Sequence, residues 1–584
     1  MARMEVCPNT AALTAIDARN TGFQLRTVMQ ASWPFAFVIA LCIVLWVPRL
    51  SGPIDLRWDA SVYYVLGTSL ATGHGYRILS EPGSPEALQY PPLLPAIVAL
   101  CQRVLGSTNP AIVAPRLRIL YAALFVIYAL AVLALAKKYL GPMYAIGATA
   151  LCLLQPSTIF VSDALFTEIP FAILSVLFLL VANGGRFQWP RPWLREAAAF
   201  ALATAAFLLR TAGVALLVAW AIQPLMQKRW RLALVRVVLA LLPLAIWHAY
   251  VEQVHRSEEY HHPAYTYQRA PYQVYNVSYA DNALLIDPSR PELGYAGARA
   301  LTWRVIRNFP RVAKAAGEAV SANDFYWRQT VDHFQQRLLG DQIVRPGIVI
   351  APILALLGLT AIGLVMLARR GAWLIVLYTV GSIGLICTTP WSFQFQRYVT
   401  PLAPFLAIAA VVAVSGIISS LRSLRVQSII LLAGRVALTG LLGLIFLVQV
   451  YTAWLMFQER VHARARFVPG AAATGAHFFH YDVVWRGWDQ AIAWIEQHAR
   501  PGTVVATLYS HLCYLRTGLH AVSLPVERDP ARARELLESV PVSYVIVDSE
   551  WLLPTVESHS VDWHVVQSFE GTKLYERKAP EQTR

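Results

Sequence analysis

The sequence predicts a polytopic α-helical membrane protein that ends in a small soluble α/β domain. Three observations lead there. The chain of 584 residues is 57% hydrophobic and only 14% charged, with a mean hydropathy of +0.47, whereas soluble domains carry about 25% charge. Apolar runs approaching the ~20 residues that cross a ~30 Å hydrocarbon core recur throughout residues 32–458. Past Trp485 the composition turns water-soluble, with β-branched runs separated by turn residues.

Residues 1–31 are polar, carry Arg3, Arg19 and Arg26, and are expected in the cytoplasm. The first apolar run, Ser32–Arg49, has no small-residue cleavage site after it and reads as an uncleaved signal anchor. Ten further segments bring the expected spans to about eleven: Ile119–Ala136, Met143–Val161, Phe166–Val181, Glu196–Leu209, Gly213–Met226, Ala233–Val254, Ile348–Leu367, Trp373–Thr389, Val399–Ser419 and Ile429–Phe457. With the N-terminus inside, the inner loops hold Lys137 and Lys138; Arg186, Arg191 and Arg195; Lys228, Arg229 and Arg231; Arg369 and Arg370; Arg422 and Arg425. Every inner loop is then basic, as the positive-inside rule expects. The net charge of +15 is read the same way; no basic soluble face points to nucleic acid.

That charge pattern also decides two ambiguous stretches. Pro91–Leu105 would be ~22 Å long as a helix, and counting it as a span would invert every later loop. It is expected as an interfacial helix on the outer side. Residues 196–226 divide into two short spans, with Arg210-Thr211 at an outer turn.

The outer regions are then 51–118, the turn from Asp163 to Glu168, the loop 255–347 and the C-terminal part, 459–584. The long loop holds Tyr260, Tyr265, Tyr267, Tyr272, Tyr275 and Tyr279, which suit a membrane interface or a sugar-binding face. Ala298–Val320 reads as a basic amphipathic helix on the bilayer surface, broken near Pro310. His255, His261 and His262 are a thin basis for a metal site, and Asn276-Val277-Ser278 fits a glycosylation sequon. In the soluble domain, strands are expected at Thr503–Leu508, Val542–Asp548 and His564–Phe569, and helices at Trp488–His498 and Ala531–Glu538. It has no Gly-rich phosphate loop; its expected job is structural, or contact with an acceptor. The six cysteines show no metal-ligand spacing and read as buried thiols.

The chemistry concentrates in residues 51–105. Asp59 follows the first apolar segment, with Tyr63 one helical turn later on the same face. A Gly73-His74-Gly75-Tyr76 turn and a Tyr90-Pro91-Pro92 helix start come next. A carboxylate at the end of a membrane helix sits in the water interface and can stay charged; its structural alternative is an N-cap for the helix that follows. Arg210 and Arg397 fall at outer helix ends, where the positive-inside trend disfavours them. Arginine's planar fork of donors suits phosphate, and an ion pair with Glu168 or Asp163 is the alternative.

The pattern Asp59…Tyr63…Gly73-His74-Gly75-Tyr76…Tyr90-Pro91-Pro92 resembles the first outer loop of GT-C-fold glycosyltransferases, among them protein mannosyltransferase and lipid A aminoarabinose transferase relatives. The order continues with Arg116 opening the second span, FTEIPF (Phe166 to Phe171) after the third, Arg210 closing the fifth and Arg397-Tyr398…Pro401…Pro404 opening the tenth. The resemblance covers residues 1–420, and the tail more loosely. It implies a polyprenyl-phosphate sugar donor and a lipid, glycan or protein acceptor at the outer face of a bacterial inner membrane. It implies Asp59 as general base of an inverting transfer, with Glu168 or Asp163 as a second site acid. Tyr63, His74, Tyr90, Arg116, Arg210, Arg397 and Tyr398 are the corresponding substrate-binding candidates. The chain departs from the pattern at Asp59-Ala60, where many relatives have Asp-Glu. One acid there weakens the transfer of metal ligation, so a divalent metal stays open. Two other classes stay open as well: a transporter or flippase of a lipid-linked saccharide, which calls for midplane acids and internal repeats, and a non-catalytic membrane scaffold.

Overall fold

The structure, a computed structural model, describes residues 32–184, 189–338, 346–423, 429–462, 476–557 and 562–578. The expected N-terminal arginines, and Arg186 and Arg425 of the basic loops, lie outside these residues.

The chain runs through α1 (Ser32–Arg49), α2 (Asp59–Ala71), α3 (Leu93–Leu105), α4 (Pro110–Ala136), α5 (Pro142–Leu154), α6 (Pro156–Asp163), α7 (Glu168–Ala182), α8 (Pro192–Leu209), α9 (Val214–Met226) and α10 (Trp230–His255). The long loop contributes α11 (Glu258–His261), α12 (Tyr279–Ala283), α13 (Ala298–Glu318) and α14 (Asp324–Leu338). Then follow α15 (Pro346–Arg369), α16 (Trp373–Cys387), α17 (Phe395–Val399), α18 (Ala403–Ser423) and α19 (Ile429–His462).

Each of the eleven apolar segments is helical, and the chain is an integral membrane protein. Among the described residues, seven helices are long and apolar enough to cross a bilayer, or eight if α5 and α6 form one span. The others, α7, α9 and α16, have 15, 13 and 15 residues. The expected single span 143–161 is instead bent by 57° between α5 and α6. Pro156 supplies no N–H at that point, and Gln155 caps the new helix by accepting from the Thr158 N–H at 2.6 Å. The chain reverses at Arg210. Gly213 lies so close to the Ala206–Phe207 backbone that a Cβ would collide with it, so α9 folds back on α8. α3 packs along α2, with Gly67 under Val98.

Two expectations for the long loop fail. α13 is continuous through Pro310. Pro310 lies on its exposed side, beside Phe309 and Arg311, where a missing backbone hydrogen bond meets no packed neighbour. The six tyrosines do not form one interfacial belt: Tyr265, Tyr267 and Tyr272 are buried in one apolar cluster with the C-terminal sheet, while Tyr275 and Tyr279 line a cavity. Asn276 is buried too, its amide donating to Glu81 at 2.8 Å, so the sequon is closed in the folded chain.

The C-terminal domain holds α20 (Val483–His498), β1 (Val504–Ala506), α21 (Ser510–Thr517), β2 (Ala521–Val522), α22 (Pro530–Glu538), β3 (Val542–Val547), α23 (Leu553–Glu557), β4 (Trp563–Phe569) and β5 (Thr572–Arg577). The sheet order is β2-β1-β3-β5-β4, parallel on one side and antiparallel on the other. The three expected strands and two expected helices are present. The sequence reading missed β2, which is two residues long, and β5, whose Lys573, Glu576 and Arg577 mask its alternation.

α15 and α18 pack with their backbones touching: a Cβ at Gly363 would fall on the Ala409 carbonyl, whereas one at Gly358 meets nothing within 4 Å. Gly363→Val should therefore cost about 1–3 kcal/mol of overpacking and lower the melting temperature in detergent. Gly358→Ala should leave it unchanged. Equal melting of the two variants would refute this packing.

Candidate active site

α2 begins at Asp59, and the residue in the N-cap position is Trp58. The Asp59 carboxylate is therefore free of capping duty. Its Oδ1 accepts from the Tyr275 hydroxyl at 2.9 Å and its Oδ2 from Arg397 Nη1 at 2.6 Å. Arg397 lies in α17, the short helix that precedes α18. Its Nε donates to Glu168 Oε1 at 2.6 Å, and its guanidinium lies 4.1 Å from the centre of the Phe166 ring. Glu168 is the first residue of α7 and is fully buried. It also accepts from Arg210 Nη1 at 2.7 Å. Arg210 occupies the extended break between α8 and α9, facing the Tyr398 ring at 5.3 Å.

Four residues remote in sequence thus form one chain, Asp59–Arg397–Glu168–Arg210, with two negative and two positive charges. Burying these charges is tolerable because each is paired and hydrogen-bonded. Arg397 Nη2 and Arg210 Nε and Nη2 make no hydrogen bond among the described residues, and neither side chain is fully covered, at 18% and 17% exposure.

These donors border a cavity of about 750 Å³. Asp59, Tyr63, Tyr90, Arg210, Arg397 and Tyr398 line its polar end. Phe207, Leu209, Val214, Leu244, Leu385 and Ile386 extend it as a largely apolar trough along α8, α9, α10 and α16, interrupted by His248, Glu252 and His255 of α10. Tyr63, Tyr90 and Tyr275 form an aromatic wall beside Asp59, with ring centres 4.8 and 6.0 Å apart in succession.

The structure brings together Asp59, Glu168, Arg210, Arg397, Tyr63, Tyr90 and Tyr398. Three expected site residues lie elsewhere. His74 is exposed in a turn between Gly73 and Gly75, both at positive φ, with Nδ1 on the Thr72 hydroxyl at 2.8 Å. Arg116 is exposed on α4 and does not line the cavity; Arg118, one half-turn on, is the buried one. Asp163 belongs to a second buried cluster, with Arg118 at 2.9 Å, Arg460 at 3.6 Å and Arg49 at 3.9 Å. Sequence reasoning placed Tyr275 only among the tyrosines of the long loop and did not single it out as a partner of Asp59. It also missed His511 of α21. His511 Nδ1 contacts the Ser80 hydroxyl at 2.7 Å, and its ring meets the Tyr275 ring edge-on at 4.9 Å. Burial pushes the His511 imidazole down to about 3, against an opposing effect of Asp59, so the ring is neutral at pH 7.

The residues present do not fit a divalent cation shared by the two acids. The Arg397 guanidinium lies between Asp59 and Glu168, in the position such a cation would take. Of the three histidines, His255 faces Asp281 at 3.5 Å, while His261 and His262 are exposed. Among the described residues no three His, Cys, Asp or Glu side chains gather as a metal site would require.

No family model matches the chain, and no curated protein matches it. Solved structures do. The chain is similar to ArnT from Cupriavidus metallidurans, crystallised with undecaprenyl phosphate, at a TM-score of 0.51 and 13% identity over 94% of this chain and 99% of that one. It is also similar to the oligosaccharyltransferase of Archaeoglobus fulgidus, in its complex with Zn and sulfate, at a TM-score of 0.51 and 12% identity over 88% of this chain and 68% of that one. The chain has the GT-C fold of membrane glycosyltransferases.

Arg397→Gln should unbalance the cluster and destabilise the protein by about 3–5 kcal/mol, the usual cost of stranding a buried charge. Arg397→Lys should recover only part of it, because a point charge cannot serve two carboxylates in separate directions. Thermal melts of the purified variants check both, and a neutral effect of Arg397→Gln would contradict the pairing. His511 gives a pH dependence. Its folded-state value is depressed below the ordinary ~6.5, so between those values the unfolded chain binds the extra proton. Its contribution is complete above about pH 6.5 and is lost as pH falls toward about 3. Melting temperature should drop more steeply on acidification in the wild type than in His511→Gln; parallel curves would count against the buried neutral ring.

Proposed function

We propose that this protein is a membrane glycosyltransferase that moves a sugar from a polyprenyl-phosphate donor to an acceptor hydroxyl at the outer face of the membrane. The observation that carries this reading is the Asp59–Arg397–Glu168–Arg210 chain at the polar end of a long apolar trough. A lipid-linked phosphate needs both kinds of surface: apolar walls for the tail, and cations at the interface for the phosphate.

The donor's tail lies among Leu244, Leu385 and Ile386, and its phosphate meets the uncommitted donors of Arg210 and Arg397. The phosphate competes with Asp59 for Arg397. Donor binding therefore loosens the ion pair and releases the carboxylate for proton transfer. Asp59 takes the proton of the acceptor hydroxyl as its oxygen attacks the anomeric carbon. The bond from that carbon to the phosphate oxygen breaks, and its electron pair leaves with the phosphate. A single displacement of this kind inverts the anomeric centre and needs one carboxylate on the acceptor side, by analogy with inverting glycosidases. Phosphate leaves as a stable anion held by two arginines, so no general acid is required. Glu168, fully buried beneath both arginines, fixes their planes toward the trough. The fold supports this reading, as do the two similar proteins: one was crystallised with undecaprenyl phosphate and the other is named an oligosaccharyltransferase. The basic inner loops support an outward-facing site.

Purified wild type and Asp59→Asn, given a labelled polyprenyl-phosphate sugar pool and a membrane acceptor extract, test the assignment. Wild type should transfer label, and Asp59→Asn should bind donor but transfer about 10²–10⁴-fold more slowly, the range for losing a positioned general base. Equal rates would remove Asp59 from the chemistry. Absence of transfer by wild type, with label instead crossing the bilayer in vesicles, would favour a transporter.

A further inference from the structure

The residue before Asp59 is strained. Trp58 has φ 55° and ψ −134°, a backbone region that residues with a side chain rarely occupy and that persists only when the surroundings enforce it. A strained residue at the start of α2 fixes the direction in which Asp59 leaves the helix. The enforcing contacts come in large part from the C-terminal domain. The Trp58 ring meets Trp485 of α20 edge-on at 5.5 Å, with Phe160 at the same distance on another side. The Arg57 guanidinium lies over Trp58 at 4.5 Å and over Trp485 at 4.9 Å. It donates to the Phe479 carbonyl at 2.5 Å and the His480 carbonyl at 3.0 Å, while Asp55 holds it from behind at 2.7 Å.

A second arm of the same domain reaches Asp59 through Tyr275. His511 packs against the Tyr275 ring whose hydroxyl donates to Asp59 Oδ1. His511 is itself fixed by Ser80, and the Ala521 N–H of β2 donates to the Ser80 carbonyl at 2.8 Å. Neither Trp485 nor His511 lines the cavity.

We propose that the C-terminal α/β domain is a clamp that aims Asp59, with Trp485 and His511 as positioning residues acting through Trp58 and Tyr275. The inference rests on Asp59 being the general base. It predicts that loosening the clamp lowers turnover without weakening donor binding, because neither residue touches the trough.

The test uses the full-length chain in detergent and two readouts. In hydrogen–deuterium exchange, Trp485→Ala and His511→Ala should exchange faster than wild type in the first turn of α2, while α3 and α15 stay unchanged. In transfer assays with the labelled donor, kcat should fall roughly 10–100-fold, the effect of displacing a reacting group by about an ångström, with donor KM unchanged. Trp485→Phe should restore most of the rate and also serves if the alanine variant does not fold. Unchanged exchange at residues 58–63, an unchanged kcat, or a KM that rises in step with the loss of rate would overturn the clamp. Faster exchange in the variants of a protein whose wild type transfers no sugar would uphold the clamp and reject the glycosyltransferase reading instead.

Discussion

One guanidinium, that of Arg397, holds the centre of this molecule. It joins a carboxylate at the start of α2 to another at the start of α7, and so fixes two elements from the first third of the chain to the entrance of α18. The constraint is electrostatic. Glu168 is fully buried, and an ionised carboxylate there is tolerable only with charged partners in place. Arg210 supplies the other, and it can do so only because α8 stops and the chain turns back on itself. The short helices, the hairpin at Arg210 and the interrupted start of α18 all follow from bringing four side chains to one point.

A second buried cluster does structural work nearby. Asp163 at the end of α6 collects Arg49 and Arg460 from the ends of α1 and α19, and Arg118 from within α4. One acid cannot satisfy three guanidiniums. Arg49 and Arg118 also donate to main-chain carbonyls of Leu45, Ile159, Arg49 and Pro53, several of them among the carbonyls that a helix end leaves open. The two clusters divide the labour of the acids on either side of the turn between α6 and α7. Asp163 ties helix ends together, and Glu168 orients arginines at the cavity.

The soluble domain completes the frame rather than trailing from it. Tyrosines of the long loop fill part of its core, and Glu81 of the loop between α2 and α3, its carboxyl pushed up by burial, accepts from Tyr265, Gln268 and Asn276. First loop, long loop and terminal domain are therefore one packed body around Asp59. In that setting a strained Trp58 can be maintained.

Composition and pattern alone were enough for the membrane class, the apolar segments, the principal strands of the last domain, and Arg210 and Arg397 as residues out of place; Asp59 and the choice between Glu168 and Asp163 rested on resemblance, and the charge pattern favoured two helices in 196–226. Hydropathy and charge asymmetry are local properties of a chain, and a charged residue at an apolar segment's end is visible without a fold. Pairing is not local. It takes the folded chain to show that Glu168 and not Asp163 meets Arg397, that Arg118 is buried where Arg116 is exposed, that His74 stays in its turn, and that Tyr275 and His511 stand behind Asp59. Those choices turn on which helix faces are brought together across long separations, 338 residues between Asp59 and Arg397 among them. The geometry of burial, not the spacing of residue types, selects the partners.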